Sequence, residues 1–296
     1  MPSLSFDRVA HAYDATRGYP NEVAGQIARA IAAAVAATAQ TRFLEMGIGT
    51  GRIAFPLAAL GHIYTGVDIA EKMVEQLEAK LVSNGWQARE QPWGALPDED
   101  SENVSLVRRF VRAEKPASAR LVIADMTRLP FYAASFDVAL AVHVFHLVDG
   151  WQKALGEALR VLRPGGYFLH CWDEHVIDGD ERHVKRAWEN IVRQLGGEVK
   201  RPGASSARAD VTPWLRERGL QPQELRVVSW ETKYTPRQAL ESVTKRLWSG
   251  TWVVPDDLFA VSIERLEQWA RDQFGSDLDI ERVQKNQFVI SRTQVH

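Results

Sequence analysis

Three glycines at alternate positions, Gly47, Gly49 and Gly51, follow the run Phe43-Leu44-Glu45-Met46 and precede Arg52. Glycine admits positive φ and lets a ligand come closer to the main chain than any side chain would permit, so this loop is shaped to cradle something. A dinucleotide, a phosphate and another small cofactor are the candidates. A dinucleotide fingerprint needs G-x-G-x-x-G, and Arg52 stands where its third glycine would fall; the spacing here is G-x-G-x-G. Asp68, twenty-one residues after Gly47, ends the β-rich run Ile63-Tyr64-Thr65-Gly66-Val67 and is placed to accept hydrogen bonds from two ribose hydroxyls. Its plainer role is to cap a turn or helix. Glu45 sits among apolar neighbours, where an unpaired carboxylate is costly. His143 and His146 follow another apolar run, Phe136–Val142, at the end of a strand where ligands of open α/β sheets bind. His146 is the candidate general base, because an imidazole titrates near neutral pH and can take a proton from an attacking hydroxyl or amine. Packing against the next helix is the alternative. The eight histidines show no ligand spacing, so no metal site is expected.

These residues need elements to hold them. Val23, Ile27, Ile31 and Val35 recur every four residues in an alanine-rich stretch, the stripe of a helix packed on a sheet. The glycine loop opens a helix over 53–60, and Met73, Val74, Leu77 and Leu81 give the next crossover. Arg120–Asp125, Phe136–Val142 and Tyr167–Trp172 read as buried strands, separated by a helix carrying Trp151, Leu155, Leu159 and Leu162 that stops at Arg163-Pro164-Gly165-Gly166. Such alternation implies a parallel sheet covered on both faces. Residues 84–119, with clustered acids and with Arg108, Arg109 and Arg112, read as a surface insertion holding a short helix at Val104, Val107 and Phe110. Residues 174–209 form a second insertion with a loose loop at its end. Two helices over 236–276 make a cap over an acceptor site, between two late strands. Residues 1–22 are a lid segment, and the whole of 1–296 reads as a single domain.

Composition sets the frame. Hydrophobic residues at 45% and charged residues at 25% describe an ordinary globular chain. A formal charge of -2 offers no global attraction to nucleic acid or an anionic membrane, and neither partner is expected. No apolar run approaches the roughly 18 residues of a membrane span. The single cysteine, Cys171, excludes an internal disulfide, and the first residues lack the basic start and apolar run of a signal peptide, so the expected setting is cytoplasmic.

Taken in order, Glu45-Met46-Gly47-Ile48-Gly49-Thr50-Gly51, Gly66-Val67-Asp68-Ile69, Ala124-Asp125-Met126 and Leu159-Arg160-Val161-Leu162-Arg163-Pro164-Gly165-Gly166 resemble a class I S-adenosylmethionine-dependent methyltransferase of the type-11-like, small-molecule group. The likeness spans residues 6–172 apart from the 84–119 insertion. It implies a Rossmann-like, seven-stranded, mostly parallel sheet with helices on both faces and an antiparallel last strand. It implies S-adenosylmethionine as cofactor and S-adenosylhomocysteine as product, with in-line displacement and no metal. By the same resemblance Gly47, Gly49 and Gly51 carry the methionine part, Glu45 orients the loop near its amino group and Asp68 holds the ribose. Ile69 and Met126 border the adenine, Asp125 binds its amino group, and His143 touches the cofactor. Tyr13 and Arg17 close over it from the leader, with Tyr19 toward the acceptor. Some sugar and natural-product O-methyltransferases have two adjacent histidines where this chain has Phe145-His146, so only His146 matches. The implied activity is methyl transfer to an O, N or C nucleophile of a small organic molecule. Trp248 and Trp252 are placed either to grip an apolar or aromatic acceptor or to pack the cap. RNA or protein methylation through the 84–119 insertion, and a non-catalytic cofactor-binding regulator, are the alternatives. The Asn/Asp-Pro-Pro-aromatic motif of adenine and glutamine N-methyltransferases is missing after the fourth strand.

Overall fold

The computed structural model describes residues 3–89, 104–112, 118–176 and 180–296. The apolar runs become the centre of one sheet. β1 (Arg42–Met46) pairs in parallel with β2 (Ile63–Asp68) on one side and with β6 (Phe136–Val142) on the other. Phe43 and Leu44 are both fully buried; because successive strand residues point to opposite faces, β1 is covered on both sides. β2 pairs in parallel with β5 (Ser118–Ala124), and β6 with β7 (Leu162–His175). The full order, with β3 (Gln87–Arg89), β4 (Val104–Val111), β8 (Gln223–Tyr234) and β9 (Arg282–Gln294), is β3-β4-β5-β2-β1-β6-β7-β9-β8. Gly165 N donates to the Val295 carbonyl and Val295 N to the Gly166 carbonyl, while Val176 N donates to the Lys285 carbonyl, so β9 runs antiparallel to β7 as expected.

Nine strands rather than seven are present among the described residues, and the two extra ones correct a local expectation. Val104, Val107 and Phe110 are spaced as on a helix, yet they lie on β4, which pairs antiparallel with β3 and β5. β5 pairs along its length and β3 pairs with its last three residues, and Phe110 is buried. The acidic cluster Asp98, Glu99, Asp100 and Glu102 lies outside the described residues.

The helices follow the periodicities. They are α1 (Ala10–Arg17), α2 (Asn21–Ala34), α3 (Ala54–Ala59), α4 (Glu71–Ser83), α5 (Trp151–Val161), α6 (Asp180–Gln194), α7 (Thr212–Arg216), α8 (Pro236–Thr244) and α9 (Asp256–Phe274). α5 contributes Leu155 and Ala158 to the same buried core as Leu44, Met46, Val122 and Ala139 of the sheet, where each buried leucine contributes about 1.5–3 kcal/mol.

Two compact units divide the chain: Met1–Trp172 with Gly203–Val228 and Phe288–His296, and Asp173–Pro202 with Ser229–Gln287. The first contains the glycine loop. The second has its own core of Val184, Trp188 and Val192 from α6 with Ala239 and Val243 from α8 and Leu266 and Ala270 from α9. Trp188 is fully buried, and its indole N–H donates to Ser262 Oγ at 2.9 Å. Thr235 and Gln238 form a reciprocal capping box that starts α8.

Candidate cofactor site

At the carboxyl edge of the first unit's sheet, the ends of β5, β2, β1 and β6 surround a cleft that is open at its mouth. Gly47, Gly49, Asp68, Ile69, Asp125, Met126 and His143 line it from the sheet side, and Tyr13 from the leader. Gly49, at φ +53°, places its N–H 2.8 Å from Asp68 Oδ2, while Asp68 Oδ1 accepts from Ala70 N at 2.8 Å. Asp68 therefore does two jobs: it braces the glycine loop to the start of α4 and faces the cleft. Burial pushes its carboxyl up to about 6, against the pull of these main-chain donors. Asp125 likewise accepts from Thr127 N at 2.8 Å and also lines the cleft. Ile69 is 38% exposed; a large apolar side chain left open at a strand end offers a flat wall to a ring.

Glu45 lies outside the lining residues. It is buried, and the Tyr64 hydroxyl donates to its Oε2 at 2.6 Å, which answers why a carboxyl could stand in the apolar run. Burial pushes it up to about 8, with the Tyr64 bond and Arg52 opposing. Gly51 also lies outside the lining residues: at φ +74°, a Cβ there would stand 2.3 Å from Leu77 Cδ1 of α4, so its bareness serves packing.

The leader is fastened to the glycine loop. Thr50 Oγ1 donates to Asp14 Oδ1 at 2.6 Å, and Lys80 bridges Asp14 Oδ2 at 2.5 Å and the Thr50 carbonyl at 2.8 Å. Arg52, which breaks the dinucleotide pattern, donates to the Arg17 carbonyl at 3.1 Å and lies 5.0 Å over the Tyr19 ring. The Arg17 guanidinium lies 5.8 Å over Phe6, and Tyr19 meets Phe288 edge-on at 6.2 Å; neither Arg17 nor Tyr19 lines the cleft. Phe6 lines it instead, edge-on to Tyr13 at 5.4 Å, together with Ser3 and Leu4. Sequence reasoning passed over these three, although Phe6 and Tyr13, seven residues apart, are spaced to share one side of a helical stretch.

His146 occupies a single 3-10 turn, Phe145–Leu147, and is not among the lining residues; its carbonyl accepts from Gly203 N at 3.3 Å. Gly203, expected in a loose loop, is thus tied to main chain. Trp248 is buried in the second unit, edge-on to Trp188 at 5.6 Å, and the Trp252 indole donates to the Arg246 carbonyl at 2.7 Å. No group of metal-ligating side chains occurs among the described residues.

Comparison with known proteins agrees with this geometry. Residues 44–170 match a family model described as a methyltransferase domain. A demethylmenaquinone methyltransferase of Clavibacter sepedonicus is 31% identical over 171 residues, 57% of this chain and 56% of the relative. A 27-O-demethylrifamycin SV methyltransferase of Amycolatopsis mediterranei is 26% identical over 207 residues, 68% of this chain and 61% of the relative. The matches thus span little more than half the length of these relatives. Among solved structures, the YcgJ protein of Bacillus subtilis shares the fold, with a TM-score of 0.52 at 18% identity over 94% of this chain and 99% of that one. The cleft fits the cofactor of this family: a bare loop, a ribose-ready carboxylate at the end of β2 and an apolar wall beside it. Residues 44–170 are a class I methyltransferase domain whose cofactor is S-adenosylmethionine.

Proposed function

We propose that the whole protein transfers a methyl group from S-adenosylmethionine to an O, N or C nucleophile of a small organic molecule. One observation carries the small-molecule part: Phe6 and Tyr13 of the leader stand among the walls of the cleft, on an element bound to the glycine loop through Asp14 and Arg52. A site walled this way suits a compact acceptor better than a folded one. The related demethylmenaquinone and rifamycin enzymes are named for small organic acceptors, which supports the same reading. In it Asp68 holds the ribose, Ile69 and Met126 sandwich the adenine, Asp125 takes its amino group, and the glycine loop receives the methionine portion. The bound cofactor supplies an already activated methyl; the protein aligns the acceptor and excludes water. The single cysteine, buried at Cys171, accords with a cytoplasmic setting. Calorimetry with S-adenosylhomocysteine, followed by radiolabelled-methyl transfer to a panel of phenols, quinols and amines, tests the proposal. Failure to bind either cofactor form would sink it, and binding without turnover would favour a regulator.

One feature favours a second reading, methylation of a docked RNA. Arg89, Arg109 and Arg120 stand directly opposite one another across β3, β4 and β5, and like charges so placed repel. Arg120 Nε is buried without a hydrogen-bond partner, and burial, with Arg109 and Arg42, draws its guanidinium down. Salt-dependent RNA binding that is lost on Arg109→Glu would support it.

A further inference from the structure

Resting on the cofactor reading above, we infer that His143, and not His146, is the side chain that takes the acceptor's proton. The strand order carries the argument. Along the carboxyl edge, β5 with Asp125 and β2 with Asp68 lie on one side of β1, and β6 with His143 lies on the other. Met46 is opposite Ala141, so His143 follows β6 just beside the glycine turn, about two strand spacings, roughly 10 Å, from the strand of Asp68. If ribose and adenine occupy the β2 and β5 side, the reacting end of the cofactor falls on the β1 and β6 side. His143 lines the cleft there; His146 does not.

The backbone is a second, independent sign. His143 has φ +51°, a left-handed conformation in which few residues with a side chain are held, and such strain gathers at functional sites. Its N–H donates to the Cys171 carbonyl at 3.2 Å, which pins the turn to β7. From β7 it also faces His170, which burial, and then His143, push down to about 3, so His170 stays neutral and cannot compete for the proton. Asp68 and Asp125 from the sheet ends and Tyr13 from the leader line the same cleft, and His146 and Asp149 follow on its own segment.

The step balances simply. A lone pair of an acceptor O–H or N–H forms the bond to the methyl carbon, and the carbon–sulfur pair passes to sulfur, leaving the neutral thioether. The acceptor's proton goes to an imidazole nitrogen of His143 and later to water. A base in that place stands beside the sulfonium, and like charges oppose each other: the sulfonium of the cofactor selects neutral His143, whereas the uncharged thioether of the product does not.

This difference can be measured without knowing the acceptor. Dissociation constants for S-adenosylmethionine and S-adenosylhomocysteine, measured by calorimetry at pH 8.0 and pH 5.5, should show the former weakening at least fivefold more than the latter as pH falls. His143→Asn, chosen because asparagine tolerates the left-handed backbone, should abolish that difference; His146→Gln should keep it. A flat ratio in the wild type overturns the assignment. So does a pH-dependent ratio that survives His143→Asn, because the titrating group would then be a carboxylate such as Asp68. If neither ligand binds, the cofactor reading itself falls, an outcome distinct from a flat ratio. Should His143→Asn not fold, the imidazole resonances of the wild type decide: the apparent pKa of His143 must be lower with the sulfonium bound than with the thioether.

Discussion

Replacing Gly51 by alanine should damage the fold more than the ligand site. At φ +74° an alanine sits in the left-handed region, which costs about 1–2 kcal/mol. Its Cβ would also stand 2.3 Å from Leu77 Cδ1 and 3.0 Å from Cδ2. Leu77 is 1% exposed on α4, so it has no room to swing aside, and overpacking of this kind costs about 1–3 kcal/mol. The sum, about 2–5 kcal/mol, is a large part of an ordinary domain's stability. Urea unfolding followed by circular dichroism reads it directly. Leu77→Ala by itself should cost about 2–5 kcal/mol through its cavity. In the double variant the new methyl enters that space, so the two losses should fall short of additivity by about 1 kcal/mol or more. S-adenosylhomocysteine affinity, measured on the folded fraction, should change less than threefold for Gly51→Ala. A variant of near wild-type stability that binds the ligand tenfold more weakly would refute the packing argument and return Gly51 to the cradle.

Glu45→Gln keeps the acceptor for the Tyr64 hydroxyl and removes a carboxyl held near 8. A native pKa raised above the unfolded value means that the folded chain binds the extra proton between about pH 4.5 and 8, so wild-type stability falls as pH rises through that window. Relative to wild type, the variant should therefore gain roughly 1–4 kcal/mol between pH 5 and pH 8 in denaturant titrations. Asp68→Asn leaves either Gly49 N–H or Ala70 N–H without its acceptor, and should weaken S-adenosylhomocysteine by roughly 10- to 100-fold by calorimetry, at a stability cost of about 1–3 kcal/mol. Asp14→Asn breaks a half-exposed ion pair with Lys80; melting should show a loss of no more than about 1 kcal/mol, while amide exchange over residues 10–17 accelerates severalfold.

The strands that hold the cleft were legible because they are mostly buried and read as short, largely apolar runs; β1, β2, β5 and β6 needed no tertiary information. Gly47, Gly49, Asp68, Asp125 and Met126 were legible because their spacing follows strand ends. Other roles depend on contacts that cross the sequence. Nothing near Gly51 announces Leu77, and nothing near Glu45 announces Tyr64, its partner on the adjoining strand. β4 was misread because Val104, Val107 and Phe110 happen to carry a helical spacing, and only the ladder with β5 decides between the two periods. The leader's part was only half visible: Tyr13 stood out and Phe6 is marked only by its seven-residue spacing from it, whereas Ser3 and Leu4 have no local pattern that distinguishes a cleft wall from a surface strand of chain.

Those first residues have a practical bearing. Leu4 N–H donates to the Leu147 carbonyl at 2.9 Å and Ser3 Oγ accepts from Asp149 N at 3.1 Å, while both residues line the cleft. Whatever is fused ahead of the chain is joined within a few residues of side chains that line the cleft. A purification tag left there would sit close in sequence to the cleft wall, and ligand dwell times are best measured after its removal. The same placement can be turned to use: a fluorophore attached ahead of Ser3 would sense each arrival and departure in real time, with no acceptor required.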